Sequence, residues 1–198
     1  MRIAISGTHS QGKSTFCRDF LARHPDYAFE DEPYRALKDK HEILFGDNQT
    51  THHIDLQLNH CINQVKKYKP GDKVLFDRPP TDYIPYSEYT AKNAHTDIDK
   101  AYVDSLYDRV KPVMHHLDLI VFIPITEDYH IQLEDDGHRP VEDFYRNWVD
   151  EAFKAMYRGD LSRFLPDKNA PKIVEITGPR EVRIELLEAA IREIENAR

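Results

Sequence analysis

The chain has 198 residues, a formal net charge of −8 and two cysteines; at that length most of the apolar surface fits into one core, and a single domain over residues 1–198 is expected. The acidic balance disfavours a protein that holds long nucleic acid through a general electrostatic field, and two cysteines are too few for a disulfide framework. No apolar run approaches the roughly 18 residues that a membrane-crossing helix needs, and the first strand is predicted from the second residue without an apolar leader, so a cytoplasmic protein with no membrane partner is expected.

Taken in chain order, Ile3-Ala4-Ile5 reads as a short buried strand. It runs into Gly7-Thr8-His9-Ser10-Gln11-Gly12-Lys13-Ser14-Thr15, which fits Gly-x4-Gly-Lys-Ser, the pattern of a phosphate-binding P-loop. A polyphosphate must be held by converging backbone N–H groups, and Gly7 and Gly12 let the chain approach it without a Cβ. The whole run from Gly7 to Thr15, with Thr8, His9, Ser10 and Gln11 between the glycines, is therefore the expected ATP site. Lys13 would reach the β- and γ-phosphates and Ser14 would give its hydroxyl to Mg2+. A helix over Lys13–Arg23 would point its positive end at the anion.

A weaker strand follows at Tyr27–Phe29, then a helix over Thr50–Tyr68 and a turn at Pro70-Gly71. The third strand, Val74–Phe76, exits into Asp77-Arg78. Asp77 at that exit could enter a magnesium shell or take the proton from an incoming hydroxyl. Arg78 could bind a phosphate or the substrate, and the plainer alternative for the two residues is a surface ion pair. In the short helix Asp82–Lys92, Tyr83, Tyr86 and Tyr89 recur at spacing three, as a packed face would, with base stacking in an acceptor site as the alternative.

A helix over Asp99–His115 and a strand over Leu119–Ile123 come next. The polar, turn-rich segment Asp135-Asp136-Gly137-His138-Arg139-Pro140 and a helix over Val141–Phe164 then have the character of a lid, placed at about 127–150. Arg139 and Arg146, seven apart, would share one helical face and close over phosphates; otherwise Arg146 would pair with Asp143 or Asp150. A last strand Ile173–Ile176, the turn Thr177-Gly178-Pro179 and a helix over Arg180–Ala197 complete the chain. His52-His53 and His115-His116 are adjacent pairs whose side chains diverge by about 100° on a helix, so no structural zinc site is expected.

Short apolar runs alternating with helical patterns predict an α/β fold of the P-loop NTPase kind. It is a three-layer sandwich with about five parallel strands, helices on both faces and a helical lid. In such open sheets ligands gather at the carboxyl ends of the strands, where the P-loop and Asp77 would meet.

Gly7-x4-Gly12-Lys13-Ser14-Thr15, Glu32-Pro33-Tyr34-Arg35, Asp77-Arg78-Pro79-Pro80-Thr81-Asp82, Asp136-Gly137-x-Arg139-Pro140 and Thr177-Gly178-Pro179-x-Glu181-x-Arg183 follow in an order that resembles the small P-loop kinases. The resemblance is to AAA-labelled ATPase/kinase domains similar to nicotinamide riboside kinase, and more distantly to thymidylate kinase. It implies that Glu32 and Arg35, with Arg78, Asp82 and Tyr83, line an acceptor pocket. It also implies that Asp77 faces the acceptor hydroxyl or the metal, that Arg139 and Arg146 form the lid, and that Gly178, Pro179 and Arg183 cradle adenine.

The resulting expectation is an ATP- and Mg2+-dependent transfer of the γ-phosphoryl group to a small hydroxyl or phosphate acceptor, a nucleoside, nucleotide or related cofactor precursor. Lys13, Asp77, Arg139 and Arg146 would form its catalytic set. The region His41–Gln57 leaves the acceptor unassigned, and a homodimer is compatible with the sequence. Two alternatives stand beside this reading. One is a nucleotide-binding switch that makes no phosphorylated product. The other is a kinase of polynucleotide ends with a groove around Lys66, Lys67, Lys69 and Lys73.

Overall fold

The computed structural model describes residues 1–127 and 143–197. Five strands, β1 (Arg2–Ser6), β2 (Ala28–Glu30), β3 (Val74–Asp77), β4 (Leu119–Phe122) and β5 (Lys172–Glu175), form one all-parallel sheet in the order β2-β3-β1-β4-β5. The helices are α1 (Lys13–Arg23), α2 (Pro33–Leu37), α3 (Thr51–Lys66), α4 (Tyr83–Asn93), α5 (Lys100–Val110), α6 (Asp143–Arg158) and α7 (Arg180–Asn196).

The central strands are apolar on both sides because both sides are covered. Ala4, Phe76, Ile120 and Phe122 join a core beneath α3, α4, α5 and α6. The alternate residues Ile3, Ile5, Leu75, Leu119 and Val121 join a second core with Phe16, Cys17 and Phe20 of α1 and Ile184 and Leu187 of α7. The period of two along each strand thus divides its side chains between the two layers. Both cysteines are buried and unbridged, and no described helix is long and apolar enough to cross a membrane.

Two predicted helices end early. The one expected over Asp99–His115 closes as α5 at Val110 and continues as a 3-10 stretch, Lys111–His116. Pro112 lacks the N–H that an α-helix needs and disfavours helical geometry before it. The one expected to run to Phe164 stops at Arg158, where a Cβ on Gly159 would stand 2.5 Å from the Ala155 carbonyl oxygen. The five-residue helix α2, which begins on Pro33, is an addition to the predicted set and is too short to show a periodic apolar stripe.

The chain leaves β1 for β2 and β3 on one side and reaches β4 and β5 on the other, so the order reverses at β1. Ile5 of β1 pairs with Asp77 of β3, which brings the loop after β1 and the acid at the end of β3 to the same edge. A crevice at such a reversal is where ligands bind in open α/β sheets.

Candidate active site

The loop between β1 and α1 has left-handed backbone at Gly7 (φ 135°), Ser10 (φ 56°) and Gly12 (φ 74°), the kind of conformation from which backbone N–H groups build anion-binding concavities. Gly7 is also held by space, since a Cβ there would lie 2.5 Å from the Ile123 carbonyl oxygen. Gly7→Ala should therefore cost about 3 kcal/mol from backbone strain and overpacking, read as a lower urea midpoint at unchanged m-value.

Lys13 opens α1 and folds back, its buried Nζ donating to the Thr8 carbonyl at 2.6 Å. Burial, helped by the positive charge of Arg78, pulls its pKa down to about 7 despite Asp77, Asp82 and Glu32 nearby. Ser14 Oγ donates to Asp77 Oδ2 at 2.8 Å, and burial together with Glu32 pushes the Asp77 carboxyl above the usual range.

Arg35 of α2 donates to Ser14 Oγ at 2.8 Å and to Asp77 Oδ2 at 3.4 Å, while also pairing with Asp31. The two oxygens expected to hold magnesium thus already attract a cation, and a hydroxyl beside a carboxylate is the hard oxygen set that Mg2+ prefers. Arg35 stands at these two oxygens; it is not among the residues lining the cavity described next.

That cavity adjoins the loop. It is lined by His9, Glu32, Phe45, Gln49, Gln57, Arg78, Asp82, Tyr83, Tyr86 and Tyr145. Its atom-free space, mouth included, is about 390 Å³.

Buried Arg78 organises the polar end. It holds a positive φ of 112°, a strained conformation for a non-glycine residue, of the kind that clusters at functional sites. Its guanidinium donates to Glu32 Oε1 at 2.6 Å, Asp82 Oδ2 at 2.9 Å, the Gly7 carbonyl at 3.3 Å and Tyr86 Oη at 3.3 Å. Asp82 also accepts from Ser6 Oγ, which in turn accepts from Tyr157 Oη at 2.8 Å. Burial raises the pKa of Asp82 to about 6 against the opposing pull of Arg78. The Asp77-Arg78 pair is no exposed ion pair: Arg78 turns inward and Asp77 faces Ser14.

Tyr83 Oη is buried in the cavity wall with no hydrogen-bond partner among the described residues. A buried hydroxyl without a partner costs free energy, which a polar group on a guest would relieve. Tyr86 also lines the cavity, whereas Tyr89 packs edge-on against Tyr145 and Trp148, at 4.5 and 5.4 Å between centroids. The three evenly spaced tyrosines thus divide between a site and a packed face.

On the far side of the loop, Arg183 Nη1 donates to the Gln11 carbonyl at 3.0 Å and its Nε to the Gly178 carbonyl at 2.7 Å. Gly178 has φ 95°. Gly178, Pro179 and Arg183, expected around adenine, are therefore tied to the phosphate loop. Arg146 is buried on α6 and its carbonyl accepts from Thr8 Oγ1 at 3.4 Å. Asp150 gives its carboxylate to Lys154 and to the Ile125 N–H, each at 2.9 Å. Arg139, with most of the expected lid, lies outside the described residues.

The AAA domain family profile matches residues 2–170 of this P-loop architecture. The chain belongs to the AAA domain family. No curated protein sequence matches it significantly. Among solved structures, the AAA-domain chain resembles deoxyadenosine kinase from M. mycoides with bound dATP at 17% identity and a TM-score of 0.66, with 97% of this chain and 99% of that one covered. It resembles thymidylate kinase from Candida albicans at 15% identity and a TM-score of 0.68, over 99% and 92% of the two chains. The NadR protein in complex with NR is similar at 17% identity and a TM-score of 0.61, over 94% of this chain and 50% of that one. At such identities the likeness is one of fold, and the fold is P-loop kinase-like.

The sequence reading placed the acceptor region at His41–Gln57, which holds Phe45, Gln49 and Gln57 of the cavity wall, but it did not place Arg35 on the Ser14 and Asp77 oxygens, nor His9 and Tyr145 in the cavity. The stretch His41–Gln57 gave a signal only as a polar segment without a motif.

Proposed function

We propose that the protein is an ATP-dependent kinase that moves the γ-phosphoryl group to a hydroxyl of an uncharged, nucleoside-like acceptor. The observation that carries this reading is the cavity beside the P-loop, with a buried Glu32–Arg78–Asp82 cluster and the unpartnered Tyr83 hydroxyl. A nucleotide switch has no use for such a cavity. The solved structures similar in fold include proteins named as deoxyadenosine kinase and thymidylate kinase, which supports the same class.

The charge of the cavity favours a hydroxyl acceptor over a phosphomonoester. Arg78 is its only cation among the described lining residues, apart from any charge on His9, and it is already shared by two carboxylates, a carbonyl and a tyrosine hydroxyl. An acceptor phosphate would meet Glu32 and Asp82 with no free positive partner.

In this reading the loop amides and Lys13 hold the β- and γ-phosphates and stabilise charge as it develops on the transferred group. Ser14 and Asp77 would hold magnesium, which when bound would neutralise phosphate charge. Glu32 takes the proton from the acceptor hydroxyl while Arg78 orients it. Arg35, which donates to the Ser14 and Asp77 oxygens, would have to release them to a bound metal. Gly178, Pro179 and Arg183 place the adenine end, and Arg139 and Arg146 act as the lid of this one domain.

The alternative groove for polynucleotide ends loses support, because Lys67 pairs with Glu30 at 3.2 Å and Lys73 with Asp26 at 2.6 Å. The test is a screen with γ-labelled ATP and Mg2+ against nucleosides and their 5′-monophosphates. Label is expected on nucleosides, not on monophosphates, and none from an Asp77→Asn variant. Label in free phosphate alone would replace the kinase with a switch.

A further inference from the structure

His9 is one of the four residues that the Gly-x4-Gly-Lys-Ser pattern leaves free, and nothing in the phosphate-binding chemistry of the loop asks for its ring. The ring is nevertheless only 2% exposed and lines the acceptor cavity. It stacks on Tyr145 of α6 with centroids 5.2 Å apart and planes 29° apart, and it lies 6.3 Å from the ring of Tyr86. Tyr86 in turn carries the Arg78 guanidinium 5.2 Å from its centroid. The aromatic wall therefore leads from α6 through a residue of the nucleotide loop to the cation at the polar end of the cavity.

This arrangement follows from the shape of the loop. Left-handed backbone at Gly7 and Ser10 brackets Thr8 and His9, so that amides turned toward a phosphate leave the side chains to project from the other face. Thr8 Oγ1 donates to the Arg146 carbonyl at 3.4 Å, and the neighbouring His9 ring meets Tyr145, so one dipeptide seats the loop against one turn of α6. The His9 ring shares the cavity wall with Glu32, Arg78 and Tyr83, so its breadth helps to set which guests fit there.

We propose that His9 is an acceptor-specificity residue, a side chain of the nucleotide loop whose ring shapes the acceptor cavity next to the phosphoryl group to be transferred. This rests on the kinase reading of the cavity. It separates two jobs within one loop: the backbone and Lys13 serve the donor, and the His9 ring serves the acceptor. Removing the ring opens the cavity close to Arg78, where the reacting hydroxyl would lie, so affinity for the preferred acceptor falls and discrimination by bulk near that hydroxyl relaxes. A phenyl ring of similar breadth restores the wall.

The experiment compares the full chain as wild type, His9→Ala and His9→Phe. It measures acceptor KM and kcat at saturating ATP over a series of nucleosides that differ in bulk beside the hydroxyl, with the Kd of a fluorescent ATP analogue in Mg2+ measured separately. Thermal melting confirms that each variant folds. His9→Ala is expected to raise the acceptor KM about tenfold or more, the effect of removing a packing group from a specificity pocket, and to flatten the ranking of acceptors. His9→Phe stays within about threefold of wild type, and the analogue's Kd stays within about twofold in both variants, because both keep the loop backbone and Lys13, and what the loop itself gives up is the 3.4 Å contact of the ring Nδ1 with Thr8 Oγ1. A Kd that weakens in step with the acceptor KM would make His9 a residue of the donor loop and overturn the proposal. So would an acceptor KM and ranking indifferent to His9→Ala. A wild-type protein that labels no acceptor would remove the kinase reading itself, an outcome distinct from a working kinase indifferent to His9.

Discussion

Glu32→Gln should lower kcat for phosphoryl transfer by about 10²- to 10⁴-fold, the usual contribution of a positioned general base, and leave the affinity for ATP with Mg2+ nearly unchanged. Glu32 is buried, lines the cavity beside the P-loop and receives Arg78 Nε at 2.6 Å. A glutamine keeps the shape and one acceptor oxygen but takes no proton, and Asp82 still compensates Arg78 at 2.9 Å, so the fold should survive. Asp77→Asn gives the contrasting result. Asp77 faces Ser14 Oγ at 2.8 Å, and its loss should weaken the magnesium dependence of nucleotide binding before it touches acceptor affinity. Metal titrations of the binding of a fluorescent ATP analogue, beside single-turnover transfer rates, separate the two carboxylates. Equal effects of the two variants on both readouts would return the base to Asp77.

The sheet and the nucleotide loop were legible because both are written locally. β1, β3 and β4 are runs buried on both faces, and glycine spacing marks a loop whose backbone must approach an anion. The cavity beside the loop was legible only in part. Glu32 and Arg78 stand 46 residues apart and meet because β2 and β3 are neighbours in the sheet, a register that no single segment encodes. The positive φ of Arg78 has no composition signal, since glycine or asparagine would be expected there. Arg35 could be placed near the acceptor by motif but not against Ser14 and Asp77, because helix α2, which aims it, is a single short turn entered at Pro33. His9 was assigned with its loop to the nucleotide; which way its side chain points depends on Tyr145, 136 residues away in a different layer.

Lys13→Met should reduce kcat by roughly 10³-fold, as loss of a preorganised charge at a developing anion does, and should also abolish a proton uptake that accompanies nucleotide binding in the wild type. With the site empty, burial and Arg78 hold the lysine pKa at about 7. Polyphosphate beside the ammonium favours the charged form and raises that pKa. Above about pH 7 the free protein has lost a proton that the complex retains, so affinity for ATP falls as pH rises, by up to about tenfold per unit, and levels off below pH 7. Titration calorimetry in buffers of different ionisation enthalpy counts these protons directly. The same depressed pKa carries a stability sign. Below about pH 7 the folded protein bears a buried charge that the unfolded chain bears in water, and this penalty fades between pH 7 and the unfolded value of 10.5. Lys13→Met should therefore melt higher than wild type at neutral pH while transferring almost no phosphate, the expected cost of a cation placed in a dry cradle for the sake of its ligand. A variant that melts lower and still takes up a proton on binding ATP would show that Lys13 is not the group the phosphates charge.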